Sequence, residues 1–260
     1  MFLKKGFCSA IFFLIIPFFA LSQSRGNPTE ILYNNERSGG ASISTNGWSV
    51  FYETGKIQTI NSTRIWSFEF AQLKHAKERK QPAELTFTGS FFENKRDFFY
   101  GKQNNFYTFR VGYGFKRMLG DRANKSGVRV SYTYMGGLSL GILKPYYLNL
   151  VYQNRDTQNR FEIRPERYTD ENAAKYLDWF SISGASPFRY GLNEIEPVPG
   201  VFGRVGLHFD WAAMDEFITA LELGVNLDVF YKNIPIMITE DNKPYFLGGY
   251  LQLKFGKRTN

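Results

Sequence analysis

One cysteine and two histidines are all that these 260 residues hold for thiol or imidazole chemistry. A single cysteine cannot pair internally, so the chain is no disulfide scaffold. A charged fraction of 22%, with a mean hydropathy of −0.33, excludes a multi-span helical membrane protein. Disorder is excluded too, because 18% of the residues are aromatic and 26 of them are Phe. What remains is an aromatic excess in a chain that is hydrophilic on average, long enough for one β-rich domain or two small ones.

The first segment is an address and not structure. Lys4 and Lys5 form a positive start, and Ala10 to Leu21 is an apolar run too short for the ~20 residues of a bilayer-spanning helix. Ala20 and Ser22 are small residues at the −3 and −1 positions. Residues 1–22 therefore read as a secretory signal peptide, with cleavage before Gln23. Cys8 leaves with it, and it lies too early in the apolar run to be an acylation site. The remainder loses two lysines and no acid, so its formal net charge falls from +8 to +6. It also lacks any thiolate nucleophile or cysteine metal site. No second apolar run approaches helix-spanning length. Export leaves three destinations: secretion, the periplasm or the outer membrane.

Strand periodicity chooses among them. Leu221, Leu223, Val225, Leu227 and Val229 share one face, while Glu222, Gly224, Asn226 and Asp228 share the other. Val201, Gly203, Val205, Leu207, Phe209 and Trp211 oppose Phe202, Arg204, Gly206, His208 and Asp210. Tyr107, Phe109, Val111, Tyr113 and Phe115 oppose Thr108, Arg110, Gly112, Gly114 and Lys116. Val128, Val130, Tyr132 and Tyr134 oppose Arg129, Ser131 and Thr133. Leu251, Leu253 and Phe255 oppose Tyr250, Gln252 and Lys254. Trp66, Phe68 and Phe70 oppose Ser67, Glu69 and Ala71. Trp48, Val50 and Tyr52 oppose Ser49 and Glu53, with Phe51 breaking the polar side. A weaker alternation runs from Gly40 to Asn46.

These eight segments fit either a sandwich or a barrel. Two features favour the barrel. The apolar faces carry Phe, Tyr and Trp near strand ends, as an interfacial girdle does. The polar faces carry both charge signs, which a closed lumen must pair. Long inserts fall on alternate connections, apart from the short first hairpin. Asn46-Gly47 is a hairpin signal, about ten residues near Thr54–Thr63 join the second and third strands, and a long insert spans Ala76 to Asn104. A short turn covers Gly120 to Asn124, the largest insert runs from Lys144 to Gly200, a turn lies at Met214–Glu216, and a dozen residues cover Asn233 to Lys243. Short turns on one side and long loops on the other match an outer-membrane barrel. The expectation is an all-β fold: an eight-stranded antiparallel transmembrane β-barrel over 37–260, preceded by a periplasmic segment over 23–36. The largest loop holds a short helix after an N-cap at Thr169.

A family resemblance points the same way. It rests on Gly39-Gly40, Asn46-Gly47-Trp48, Lys74-His75, Tyr100-Gly101-Lys102 and Gly112-Tyr113-Gly114-Phe115. It continues through Gly136-Gly137-Leu138-Ser139-Leu140-Gly141 and Ile234-Pro235-Ile236-Met237-Ile238. Over nearly the whole exported chain, the sequence resembles an uncharacterised outer-membrane β-barrel family of Bacteroidota. The resemblance implies an outer-membrane location in a Gram-negative envelope and a barrel. It brings no reaction, so no catalytic residue carries over.

The residues themselves leave three functions open. The first is a structural or surface-interaction role for the long loops, with outer-membrane lipid, lipopolysaccharide or other envelope proteins as partners. The basic run of Lys74, Lys77, Arg79 and Lys80 is the candidate contact for lipopolysaccharide phosphates. The second is a barrel-borne enzyme, lipid A deacylase-like or protease-like, using His208 with Asp210 or Glu222 as base and orienter. His208-Phe209-Asp210 is not the His-x-Ser pair of the deacylases. The bland reading makes Arg110, Arg129, Arg204, His208, Asp210, Glu222, Asn226 and Asp228 a luminal ion-pair network. The third is a small-solute channel. His75 and His208 lie too far apart for a zinc site, no cofactor motif is present, and an exported chain gives nucleic acid no role.

Overall fold

The computed structural model of the chain describes residues 33–82, 96–121, 127–153, 161–212, 214 and 216–260. The signal peptide over 1–22 and most of the segment over 23–36 fall outside them.

Alternation becomes strand wherever it occurs. In chain order the strands are β1 (Asn35–Ser44), β2 (Gly47–Thr59), β3 (Ser62–Leu73), the two-residue β4 (Lys80–Gln81) and β5 (Phe98–Phe99), β6 (Asn104–Gly120) and β7 (Arg129–Pro145). Then follow β8 (Tyr147–Gln153), β9 (Phe161–Arg167), the helix α1 (Ala173–Tyr176), β10 (Ile182–Ala185), β11 (Glu196–Asp210), β12 (Phe217–Phe230) and β13 (Tyr245–Thr259). Eight of them close an antiparallel barrel in the order β1, β13, β12, β11, β7, β6, β3, β2. Each candidate strand read from the sequence overlaps one of these eight, with Val128, Trp211 and Thr45–Asn46 just beyond the observed ends. β1 opens at Asn35, two residues ahead of the boundary read from the sequence, and its Glu36 faces inward.

One hydrogen-bonded row fixes the barrel's dimensions. It runs from His208 through Glu222, Gln252, Ser42, Ser49, Ala71, Thr108 and Gly141 to Val198. It thus returns to β11 ten residues from its start. That shear, at ~3.3 Å per residue and ~4.8 Å between strands, tilts the strands by about 40°. A barrel so narrow is filled by its own side chains.

The two ends differ. One end gathers the start of β1, the end of β13 and the turns β2–β3, β6–β7 and β11–β12. The other gathers the β1–β2 turn and the three long connections. The β2–β3 connection, read from the sequence as about ten residues, is a two-residue turn at Ile60-Asn61, because β2 and β3 pair almost to their tips. The polar tail of β2 hid the end of that strand. At the β1–β2 turn Gly47 sits at φ +151°, where a Cβ would strike the Gln72 carbonyl, so glycine is required.

The apolar faces point out. Ile43, Leu138, Val205 and Leu247 are 57–72% exposed, and large apolar residues stand outward on every barrel strand. Outward aromatics touch across strands, as Trp66 does with Tyr113 at 5.1 Å and Phe70 with Tyr107 at 5.9 Å. Ile65, Met135 and Phe202 form a small buried cluster within the barrel, and the larger buried apolar clusters lie at the loop-bearing end. Leu73, Phe106, Leu143, Val198 and Phe230 close round Ile234, Ile236 and Met237 from the β12–β13 loop. Above this layer β10, β8 and β9 form a small sheet, packed with α1 round Phe98, Tyr146, Leu148, Leu150 and Tyr176. The helix starts later than expected. Asn172 stands at its N-cap, while Thr169 exchanges hydrogen bonds with Asn172 in the preceding turn.

Phe106 stacks on Phe246 at 5.6 Å and meets Phe230 edge-on at 5.0 Å. Truncating Phe106 to Ala is expected to cost about 3–5 kcal/mol of barrel stability through the cavity it leaves. Denaturant unfolding of the refolded protein measures it.

Candidate functional site

Inward residues on neighbouring strands meet in layers below the apolar seal. In the upper layer Arg110 of β6 forks onto Asp228 of β12 at 2.7 and 2.8 Å and also donates to Glu69 of β3 at 2.8 Å. The second Glu69 oxygen takes Arg204 of β11, whose guanidinium also lies 4.7 Å over the Tyr250 ring. Asn226 donates to Asp228 at 3.2 Å. The middle layer centres on Glu222. It accepts from Tyr250 at 2.7 Å and Thr133 at 3.2 Å, and Lys254 lies 2.8 Å away. Lys254 also reaches Glu53 at 2.7 Å and lies 5.6 Å from the centre of the Phe51 ring. In the lowest layer Asp210 takes Arg258 at 2.6 Å, and Glu36 takes Lys116 at 2.5 Å.

The barrel therefore brings together seven of the eight residues assigned to a luminal network. Arg129, the eighth, is registered directly against Asp210 at the start of β7. It stands half-exposed at the turn end with its Nε 2.9 Å from Asp121, because β7 begins there and its first side chain lies at the rim. Glu36, Glu53, Glu69, Lys116, Tyr250, Lys254 and Arg258 complete the network. Glu53, Glu69, Lys116, Tyr250 and Lys254 stand on the polar faces read from the sequence, and extending that register through β1 and β13 would have found Glu36 and Arg258. Phe51 breaks the polar pattern of β2 because it faces inward and covers the Lys254 ammonium.

The geometry gives His208 little chemistry. Its Nδ1 lies 3.4 Å from Glu222, but neither ring nitrogen makes a hydrogen bond of good geometry. Asp210 does not orient it, since that carboxylate is held by Arg258 and by the Ala212 backbone N–H at 3.1 Å. Glu222 already carries Lys254, Tyr250 and Thr133. His208 is buried beside these groups. Among the described residues no group of three or more His, Cys, Asp or Glu side chains gathers as a metal centre.

A second polar pair lies at the loop-bearing end, beside the small sheet's apolar cluster. Lys102 and Glu78 are buried 2.5 Å apart, with the ammonium 4.6 Å over the Phe99 ring. Burial pulls the Lys102 ammonium below its ordinary range, and Glu78 pulls the other way. The Tyr176 hydroxyl lies 2.9 and 3.0 Å from the carbonyls of Lys102 and Tyr146. Gln103 N–H donates to the Ile236 carbonyl and Ile238 N–H to the Gly101 carbonyl, both at 2.8 Å, which ties this cap to the seal. In the basic run, Lys77 pairs with Glu240 at 2.7 Å and Lys80 with Asp97 at 2.9 Å. Lys74 and Arg79 are exposed at the same loop-bearing end, and His75 Nδ1 accepts from the Lys77 backbone at 3.3 Å.

No protein-family model matches the chain, and no curated protein matches it. Among solved structures, one similar chain is Ail, the attachment invasion locus protein of Yersinia pestis. It is 13% identical with a TM-score of 0.39, and the match covers 87% of this chain and 98% of that one, in a complex with the heparin analogue sucrose octasulfate. Neisserial surface protein A gives 9%, 0.38, 87% and 96%. The N-terminal β-barrel domain of Pseudomonas aeruginosa OprF gives 7%, 0.35, 86% and 97%. At such scores these likenesses carry no weight for function.

Two predictions test the network and the cap. Glu69→Ala takes the carboxylate from buried Arg204 and one of the two held by Arg110, and is expected to cost about 3–5 kcal/mol in urea unfolding. Burial pushes the Tyr146 hydroxyl up to about 12 and holds Tyr176 well above its ordinary value. Above pH ~10 the unfolded chain gives up these protons first, so stability falls as pH rises from ~10 towards 12. Tyrosinate absorbance against pH is expected to show both titrating later in folded than in unfolded protein.

Proposed function

We propose that the chain is an outer-membrane β-barrel of a Gram-negative envelope, whose role is structural or one of surface interaction through its capped loops. The observation that carries this is the reversal of faces: large apolar side chains ring the outside while ion pairs fill the inside. Water on the outside would reward the opposite arrangement, whereas hydrocarbon rewards this one. The loop-bearing end is then external and the turn end periplasmic. The signal peptide over 1–22 and the kinship with the Bacteroidota barrel family belong to the same proposal.

The filled lumen and the apolar seal speak for a non-conducting barrel. The burial of His208 and the engagement of Asp210 and Glu222 weigh against a barrel-borne enzyme. The folded cap supplies the surface for contact, with exposed Lys74 and Arg79 as cations for lipopolysaccharide phosphates.

The outer-membrane fraction is expected to hold the protein, with heat-modifiable gel migration; a protein that remains soluble after cell breakage would sink the proposal. Leu138→Arg, which puts a charge on the outer face, is expected to cost about 2–4 kcal/mol in vesicles. Planar bilayers are expected to show no conductance steps.

A further inference from the structure

Outward residues at the turn end change sign around the barrel. On β12, β11 and β7 they are Phe217, Phe209, Val130 and Tyr132, with Trp211 just past the end of β11. On β13, β1, β2, β3 and β6 they include Lys257, Arg37, Lys56, Arg64 and Arg117, all exposed. The boundary is sharp, since Lys257 is registered against Phe217 on one side and Arg37 on the other.

The register makes this a continuous row. Arg37 stands directly opposite Lys257, and Lys56 directly opposite Arg64. Arg37 faces Thr54, which puts Lys56 two residues along on the diagonal. Arg64 faces Phe115, which puts Arg117 on the next diagonal. Like charges directly opposite one another destabilise a sheet, and here two such pairs adjoin. Lys257 has Glu216 at 2.7 Å. Among the described residues no carboxylate pairs with Arg37, Lys56, Arg64 or Arg117. Immediately towards the membrane belt lie Tyr52, Trp66 and Tyr113 on the same outer face.

We propose that this basic crescent binds the headgroups of anionic phospholipids in the periplasmic leaflet, several phosphates bridging the five cations. Phosphate supplies the missing counter-charge. Guanidinium forks take it bidentately, and the apolar stems lie along the belt while the charges reach the headgroups. Neutral lipid offers no net charge to offset the repeated repulsion. This rests on the outer-membrane reading above, and the experiment separates the two.

Single-tryptophan forms of the exported chain are refolded into phosphatidylcholine vesicles containing either brominated phosphatidylglycerol or brominated phosphatidylcholine. One form keeps Trp66, beside the crescent; the other keeps Trp211, outside it. Trp66 is expected to be quenched preferentially by phosphatidylglycerol and Trp211 equally by both. Raising the salt is expected to abolish the preference. Replacing Arg37, Lys56 and Arg64 by Gln is expected to lower it by about fivefold for each charge removed. Equal quenching at Trp66, an equal preference at Trp211, or a preference that survives salt and the triple substitution would overturn the inference. Stronger enrichment by lipid A than by phosphatidylglycerol at Trp66 would overturn it too, by assigning the crescent to the other leaflet. Failure to insert into either vesicle would overturn the membrane reading instead.

Discussion

Closure of the sheet between β1 and β13 is the constraint from which the rest follows. Ten residues of β1 are registered against β13, from Asn35 on Thr259 to Ser44 on Tyr250. With that seam made, no barrel strand keeps a free edge. A sheet of eight strands and this shear leaves no room for a watery lumen, so inward side chains must answer one another. A charge placed inside needs a counter-charge within reach, and the layers of Arg110, Glu69 and Arg204, then Glu222, Lys254 and Glu53, meet that need. The outer face carries no such demand and, away from the cations at the turn end, is left mainly to Phe, Tyr, Trp and aliphatic residues. The aromatic excess and the hydrophilic average are two sides of one pleat.

This is why the barrel was legible in the sequence and its furniture was not. Period two is a local property, and Leu221 to Val229 declares it without help from any other strand. Which inward charges pair is not local. Asp228 is met by Arg110 from across the lumen, 118 residues away in the chain. The polar face of β12 shows that Asp228 needs a cation without showing which. Arg129 obeys the alternation and stands opposite Asp210, yet its Nε lies 2.9 Å from Asp121 at the rim, because β7 begins there and periodicity does not say where a strand meets its end.

The seal and the cap were hidden for a related reason. Ile234, Ile236 and Met237 look like stray apolar residues in a connecting loop, yet they fill the barrel mouth against Phe106 and Phe230. The cap draws Phe98, Tyr146, Leu148 and Tyr176 from segments that no periodic pattern links. Both are made by convergence of loops on a scaffold whose end they close. That convergence exists only once the strands stand in place.

The span of the luminal ion pairs has a kinetic consequence. Lys254 and Glu53 are 201 residues apart, and Arg204 and Glu69 are 135 apart. The hairpins β1–β2 and β2–β3 involve near neighbours and assemble without them, whereas the Arg204–Glu69 contact awaits β11 and the Lys254–Glu53 contact awaits the last strand, β13. Until then each carboxylate and ammonium stays in contact with water. A one-residue slip in any strand would send its charges outward and its apolar residues in. The lumen thus works as a proofreader of assembly: its charges are all matched in one arrangement of the eight strands, and that arrangement is tested at the moment the barrel shuts.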